Sequence, residues 1–292
     1  MRLTSWNLLH GQVVSDQGAP AGESPHSRAT DLSGVENLKE LAADLKFAPG
    51  DFILGVQEVD ANQPRSSGIS QVDVLAKLLD ANDFGYLRCV IGTPGVAWRK
   101  LQKNEERLIT NSSPTPSHAQ SLQPSYGIGL ITNIEVLNWQ VLSLGKSPIG
   151  LPLAFPTDDA KRGSRKKRLR LIYIKDEPRF ALAAQLANGY TVANAHLSFV
   201  PIINLIQLWR LKRWLAKMPG EHILLGDLNL PFGIPTIFSK WQSLASAPTY
   251  PSWNPKLKFD YILSKNLINK KLSQIDLESK FSDHLPVTIE IN

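Results

Sequence analysis

Short apolar runs separated by turn-rich polar stretches organise this chain. Residues 2–9 alternate polar and apolar side chains and read as a strand that delivers Asn7 near its end. Ser33-Gly34-Val35-Glu36 forms a capping box, and Val35, Leu38, Leu41, Ala42 and Leu45 follow at helical spacing. Residues 51–58 carry Phe52, Ile53, Leu54 and Val56 in the near-continuous apolar run of a buried strand, which ends at Gln57-Glu58-Val59-Asp60. Ser70 opens a second helix with Val72, Leu75, Leu78 and Leu79 inward, and a strand follows near 86–91. Residues 126–132 and 134–142 read as a β-hairpin turning at Asn133, and 169–174, 180–186 and 190–197 are strand-like. Pro201 stands near the first turn of a helix bearing Leu205, Leu208, Trp209 and Leu215, which Pro219-Gly220 ends. A buried strand over 222–226 leads into Asp227-Leu228-Asn229, and strands over 259–263 and 286–291 close the pattern.

Strands and helices mix without strict alternation, and no repeat of 20–50 residues is present. The pattern predicts an α/β fold of two mixed β-sheets packed face to face with helices outside. It places all of 1–292 in a single domain, with loop insertions near 92–125 and 143–168.

Composition changes this picture in two places. The net charge is +6, yet residues 161–170 alone contribute +7, so the rest of the 292-residue chain is close to neutral. That is a balanced globule with one cationic loop, and a uniformly basic nucleic-acid binder is excluded. Arg165, Lys166, Lys167 and Arg168 in that loop are candidate polyanion contacts, for nucleic acid or anionic headgroups alike; a solvated loop is the plainer reading. The single Cys89 excludes an intrachain disulfide and a cysteine zinc site. No run approaches 18 apolar residues, so no transmembrane segment is expected, and the start of the chain lacks a signal-peptide pattern, which points to the cytosol. No obligate protein partner is evident.

Strand ends repeatedly carry oxygen and imidazole groups: Asn7, Glu58, Asn194 with His196, Asp227 with Asn229, Asp260, and Asp283 with His284. Brought to one edge, these carboxylates and amides would suit Mg²⁺ or Mn²⁺ better than zinc. His-Glu-x-x-His is absent. Taken in order, Trp6-Asn7, Gln57-Glu58-Val59, Asn194-Ala195-His196-Leu197, Gly226-Asp227-Leu228-Asn229, Phe259-Asp260-Tyr261-Ile262 and Ser282-Asp283-His284 resemble the endonuclease/exonuclease/phosphatase superfamily, the metal-dependent phosphoesterases related to pancreatic deoxyribonuclease. The resemblance spans residues 3–291 and implies a four-layered α/β sandwich.

It also implies roles. Glu58 would be the principal metal ligand, with Asn7 and Asp283 assisting. Asp227 would position or deprotonate the attacking water, and Asn229 would donate to the phosphoryl oxygens. His284 would contact the phosphate or move a proton, with Asp260 fixing its tautomer. His196 would donate to a phosphoryl oxygen or protonate the leaving group. Arg65, just past Glu58, and Trp253, just before Asp260, are further candidates for substrate binding. Each has a structural alternative, a solvated loop for Arg65 and core-edge packing for Trp253.

The expected activity is divalent-metal-dependent phosphoester hydrolysis, on phosphodiesters of nucleic acid or nucleotide-like substrates. The alternatives are a phospholipid or sphingomyelin phosphodiesterase, a small-molecule phosphatase, and a non-catalytic binding module. His196 stands where apurinic endonucleases have a tyrosine-containing segment, and the Cys-Asp-Arg signature of inositol polyphosphate 5-phosphatases is absent.

Overall fold

A computed structural model describes residues 1–14, 34–45, 50–113, 123–157, 168–237, 239–267 and 270–292, and in it the apolar runs become strands of two large sheets. The first runs β15 (Leu272–Asp276), β16 (Val287–Ile291), β1 (Arg2–Asn7), β2 (Phe52–Ala61), β6 (Ser125–Thr132), β3 (Asp83–Thr93), β4 (Ala97–Arg99), with β5 (Leu108–Thr110) also on β3. The second runs β13 (Gln242–Ser243), β14 (Asp260–Ser264), β12 (Glu221–Asp227), β11 (Tyr190–His196), β10 (Arg179–Leu186), β7 (Val136–Gly145). β8 (Leu151–Thr157) and β9 (Arg168–Ile174) make a separate antiparallel ribbon. β1 with β2 and β11 with β12 are parallel pairs, and the strands flanking them are antiparallel.

Both faces of the central strands are covered, which is why β2, β6 and β11 are buried almost throughout and read as near-continuous apolar runs. Between the sheets, Leu3, Ile53 and Ile128 meet Leu182, Val192 and Leu225. On the outer side of the first sheet, Leu54, Val56 and Ile131 pack against α1 (Gly34–Asp44) and α2 (Gln71–Leu78) through Leu38, Leu41, Val72 and Leu75. On the outer side of the second, Ala181, Ala183 and Ala193 form a flat floor for α3 (Ile203–Leu215), which inserts Leu208, Leu211 and Leu215. The order helix, sheet, sheet, helix is the four-layered sandwich expected from the sequence.

Three local expectations change. Residues 126–142 are not a hairpin: β6 lies inside the first sheet and β7 at the edge of the second. Asn133 accepts from the Phe52 amide (2.8 Å) and donates to the Gly50 carbonyl (3.0 Å), which pins the turn to the start of β2 while the chain crosses between sheets. Leu78 faces outward, because six residues from Val72 is 240° round a helix, whereas Gln71, Leu75 and Ala76 share its buried side. Leu205 and Trp209 also turn out of the core, 43% and 58% exposed.

Candidate active site

The carboxyl ends of the two parallel pairs meet at one edge of the sandwich. There β1 ends in Asn7, β2 carries Glu58, β11 ends in His196 and β12 in Asp227, and in the antiparallel register Asp227 lies opposite Asp260. Gly226 makes the last step possible. Its φ is +149°, and a Cβ there would sit 2.0 Å from the Ala195 carbonyl oxygen, so only glycine lets β12 approach β11 this closely just before Asp227.

Glu58 is aimed by a β-bulge. The β2–β6 register shifts between Val56 and Val59, and Glu58 takes φ +55°, a conformation that disfavours every residue but glycine. A buried amide holds the distortion in place. Asn194, on β11 of the opposite sheet, donates to the Val56 and Gly129 carbonyls (2.9 and 2.7 Å) and accepts from Gln57 Nε2 (2.6 Å). Asn194 therefore bridges the two sheets beneath the bulge and does not reach the edge itself. Beyond the bulge, Asp60 is fully buried and paired with Arg65 through two 2.8 Å contacts. Arg65, expected in a solvated loop or at the substrate, turns inward instead, its guanidinium buried and engaged by Asp60.

Above these, the side chains converge. Asn7 Nδ2 donates to both Glu58 Oε1 (3.1 Å) and Asp227 Oδ2 (3.0 Å), while Asn7 Oδ1 accepts from the Leu9 amide. His196 Nε2 lies 3.5 Å from Asp227 Oδ2 and 4.0 Å from Glu58 Oε1, and His284 Nε2 lies 3.9 Å from Asp227 Oδ2. Asp227 Oδ1 accepts from the Asn229 amide N–H (3.0 Å). Asn229, at φ +50°, gives one side-chain N–H to the Leu197 carbonyl (3.0 Å). Behind His284 stands a hydrogen-bonded chain: Nδ1 contacts Asp260 Oδ2 (2.7 Å), which also accepts from Thr249 Oγ1 (2.5 Å). Trp6 Nε1 donates to the His284 carbonyl (2.8 Å), and the Tyr250 ring centroid is 4.9 Å from the imidazole.

The electrostatics follow from burial and neighbours. Burial is the largest influence on Asp227 and, aided by Asp260's charge, pushes its carboxyl up to about 7 against His284, Asn7 and the Asn229 amide. Burial alone would lower His284, but the Asp260 charge and hydrogen bond, then Asp227 and Asp283, hold the imidazole well above its ordinary value. Among the described residues, Asp227, Asp260 and His284 present ligand atoms within 4.8 Å of one another. Because Asp260 Oδ2 and His284 Nδ1 already bond each other, this trio is better read as a proton-holding chain than as a cation cage. Hard oxygen ligands are offered by Glu58 and Asp227, which share one amide donor.

Of the other expected residues, Asp283 is half-buried and acts on His284 and Tyr250 through its charge, while its carbonyl accepts from the Ser252 amide (2.7 Å). Trp253 follows on the same pinned loop, 38% exposed. Arg165, Lys166 and Lys167 lie outside the described residues, and Arg168 opens β9. Sequence reasoning missed a small cleft beside His196, with room for about one water, lined by Tyr126, Glu177, Arg179 and Phe180. Burial and then Glu58's charge raise the Tyr126 hydroxyl, and Arg179 Nε contacts the buried Asp176 (3.3 Å), which also accepts from Ser198 Oγ (2.9 Å). The signal was the charged Asp176-Glu177-Pro178-Arg179 segment, which opens a strand whose Ala181 pairs with the residue before His196.

A layered α/β sandwich whose carboxylates and imidazoles crowd the edge formed by its parallel strand ends narrows the chain to one family. The chain belongs to the Endonuclease/Exonuclease/phosphatase family, whose sequence profile matches residues 4–284. An endonuclease/exonuclease/phosphatase from Beutenbergia cavernae is similar in structure, with TM-score 0.56 and 17% identity over 100% of this chain and 71% of that one. A mannosyl-6-phosphatase from Bacteroides thetaiotaomicron is similar at TM-score 0.55 and 13% identity, over 100% and 99% of the two chains. TDP2 from D. rerio, complexed with single strand DNA product, gives TM-score 0.51 and 14% identity over 100% and 98%. At these identities the likeness is one of fold. A search of curated protein sequences finds no match.

Proposed function

We propose that this edge hydrolyses phosphoester bonds with the help of a divalent cation, Mg²⁺ or Mn²⁺. The observation that supports it is the convergence of Glu58, Asp227, His196 and His284 around one Asn7 amide, all buried yet facing the same space. The donor set fits a hard cation: Glu58 would supply the carboxylate oxygens, Asp227 being kept for the water, and Cys89, the one thiol, sits in the core between the sheets. When bound, the cation would neutralise the phosphate and polarise a phosphoryl oxygen.

The chain's own groups supply the rest. Asp227, raised to about 7, is suited to take a proton from an attacking water near neutral pH. His196 Nε2, beside Asp227, donates toward a phosphoryl or leaving oxygen. Asn229 has a second amide N–H to offer beyond the one held by Leu197. Asp260 and Thr249 hold His284 in the tautomer and charge state that place an N–H at Nε2. Trp253 forms a rim against which a substrate group can pack.

The structural relatives include a sugar phosphatase and a protein complexed with DNA, so the fold serves substrates of different size. The test is a panel of single-stranded DNA, RNA, bis(p-nitrophenyl) phosphate, sphingomyelin and sugar phosphates, each with Mg²⁺, Mn²⁺ or EDTA. Cation-dependent hydrolysis of one class, lost in Asp227→Asn, is expected. Hydrolysis that survives in Asp227→Asn or in EDTA would refute the assignment.

A further inference from the structure

Helix α3 covers the second sheet as α1 and α2 cover the first, but its outward side is built differently. The outward residues of α1 and α2 are mostly charged, with Glu36–Lys39 and Asp73–Lys77 ion pairs at 2.8 and 2.7 Å. On α3 the outward positions begin with Ile202 at 68% exposure, then Leu205, Ile206 and Trp209 one after another at helical spacing. Arg210, Arg213 and Lys217 continue the same side, and the Arg213 guanidinium stacks 4.7 Å from the Trp209 ring. Residues 197–220 hold four basic residues and no acidic one. Phe232, 80% exposed, stands on the loop that Lys212 ties to α3 by donating from Nζ to the Pro235 carbonyl.

Exposed aliphatic side chains followed by arginine and lysine, with tryptophan between, match the chemistry of a boundary where hydrocarbon meets phosphate. A nucleic acid would gain little from Ile202, Leu205 and Ile206, which have neither a π face to stack nor a hydrogen bond to give. The patch also adjoins the site. Asn204, in the first turn of α3, donates to the Asn229 carbonyl (3.0 Å), and the Asn229 amide holds Asp227.

We infer that the outward side of α3, with Phe232, docks the protein onto an anionic lipid surface and brings the Asp227 edge next to it. That the docked edge then acts on phosphoesters carried by that surface rests on the function proposed above; the docking does not. The charge complementarity of the patch selects a negatively charged bilayer in preference to a neutral one.

The experiment is sedimentation of the full chain with vesicles of phosphatidylcholine alone and of phosphatidylcholine mixed with phosphatidylserine. Wild type should bind the mixed vesicles more tightly, with affinity falling as salt rises. Ile206→Ser combined with Trp209→Ser should weaken binding about tenfold or more. Phe232→Ser, at the most exposed position, should weaken it as well. Both variants should keep the wild-type melting temperature and hydrolyse bis(p-nitrophenyl) phosphate as wild type does. The inference fails if wild type does not sediment with either vesicle, or if the variants bind as wild type does. It also fails if these substitutions abolish only binding of a single-stranded oligonucleotide, or only self-association seen by ultracentrifugation. Asp227→Asn separates the two readings: loss of hydrolysis with vesicle binding kept supports both, and hydrolysis kept overturns the proposed function alone.

Discussion

The two sheets bring chemistry to the shared edge by different means. The first distorts its backbone: Glu58 leaves a regular strand through a bulge at φ +55°, with Asn194 beneath it and the Asp60–Arg65 pair beyond it. The second keeps regular register from β11 through β12 to β14 and arranges side chains in a row, His196 beside Asp227 and Asp227 opposite Asp260, with Thr249 and His284, the latter from the loop before β16, completing a chain. Thus the Glu58 half stores unfavourable backbone geometry and depends on remote supports, whereas the His284 half is stabilised by its own hydrogen bonds. Damage to a support should therefore reach one half and spare the other.

The largest expected effect strikes where the halves meet. Asp227→Asn keeps the shape but removes the proton acceptor bonded by Asn7, and kcat should fall by about 10²–10⁴-fold with little loss of stability. Steady-state kinetics beside a thermal melt checks both. Next, Arg65→Met leaves Asp60 buried without its partner, which should cost about 3–5 kcal/mol in urea unfolding. Activity per folded molecule should fall through kcat, because the pair supports the strand that carries Glu58, while KM stays within about twofold. A selective rise in KM would restore Arg65 to the substrate side. Asn194→Leu removes the bridge under the bulge and should cost roughly 2–4 kcal/mol. It should lower activity while leaving the His284 ring resonances unmoved; shifted resonances would mean that the halves are not separable.

The smallest effect is on titration. In wild type the His284 pKa is held above its unfolded value, so its contact with Asp260 stabilises fully below about 6.5 and is lost as pH rises through the raised folded value. In Asp260→Asn the main opposition to burial is gone. The imidazole should titrate lower, and the variant should lack that part of the fall in stability at high pH. NMR titration with denaturant unfolding across pH reads both, and an unchanged histidine titration would argue against the chain from Thr249 to His284.

Much of this edge was legible in the chain because Asn7, His196 and Asp227 end apolar strands, Asp260 and His284 stand where strands begin and Glu58 lies near the end of β2, and strand ends face the loops where chemistry gathers. Asn7, Glu58, His196, Asp227, Asp260 and His284 needed only the reading that such ends converge. The elements that failed share a cause: periodicity shows which residues are apolar, not which partner receives them. A turn at Asn133 looks the same whether the next strand pairs back or crosses to the other sheet, and the bonds from Asn133 to Phe52 and Gly50 decide it. Asn194 resembles a site residue by position, but pleating directs it between the sheets. Leu205 and Trp209 look like core, and the core beneath α3 was already filled by Leu208, Leu211 and Leu215 against an alanine floor. Arg179 and Tyr126 gave little signal, since their meeting at a cleft beside His196 is set by packing between β6 and β10.

The most direct test of the central claim is the dependence of initial rate on Mg²⁺ or Mn²⁺ concentration, measured on one phosphodiester for wild type and Glu58→Gln. A cation held by Glu58 predicts saturable activation in wild type, abolished by EDTA, and a requirement raised by on the order of 10–100-fold or more in the variant. Rates that ignore the cation, or curves that coincide for the two proteins, would contradict it.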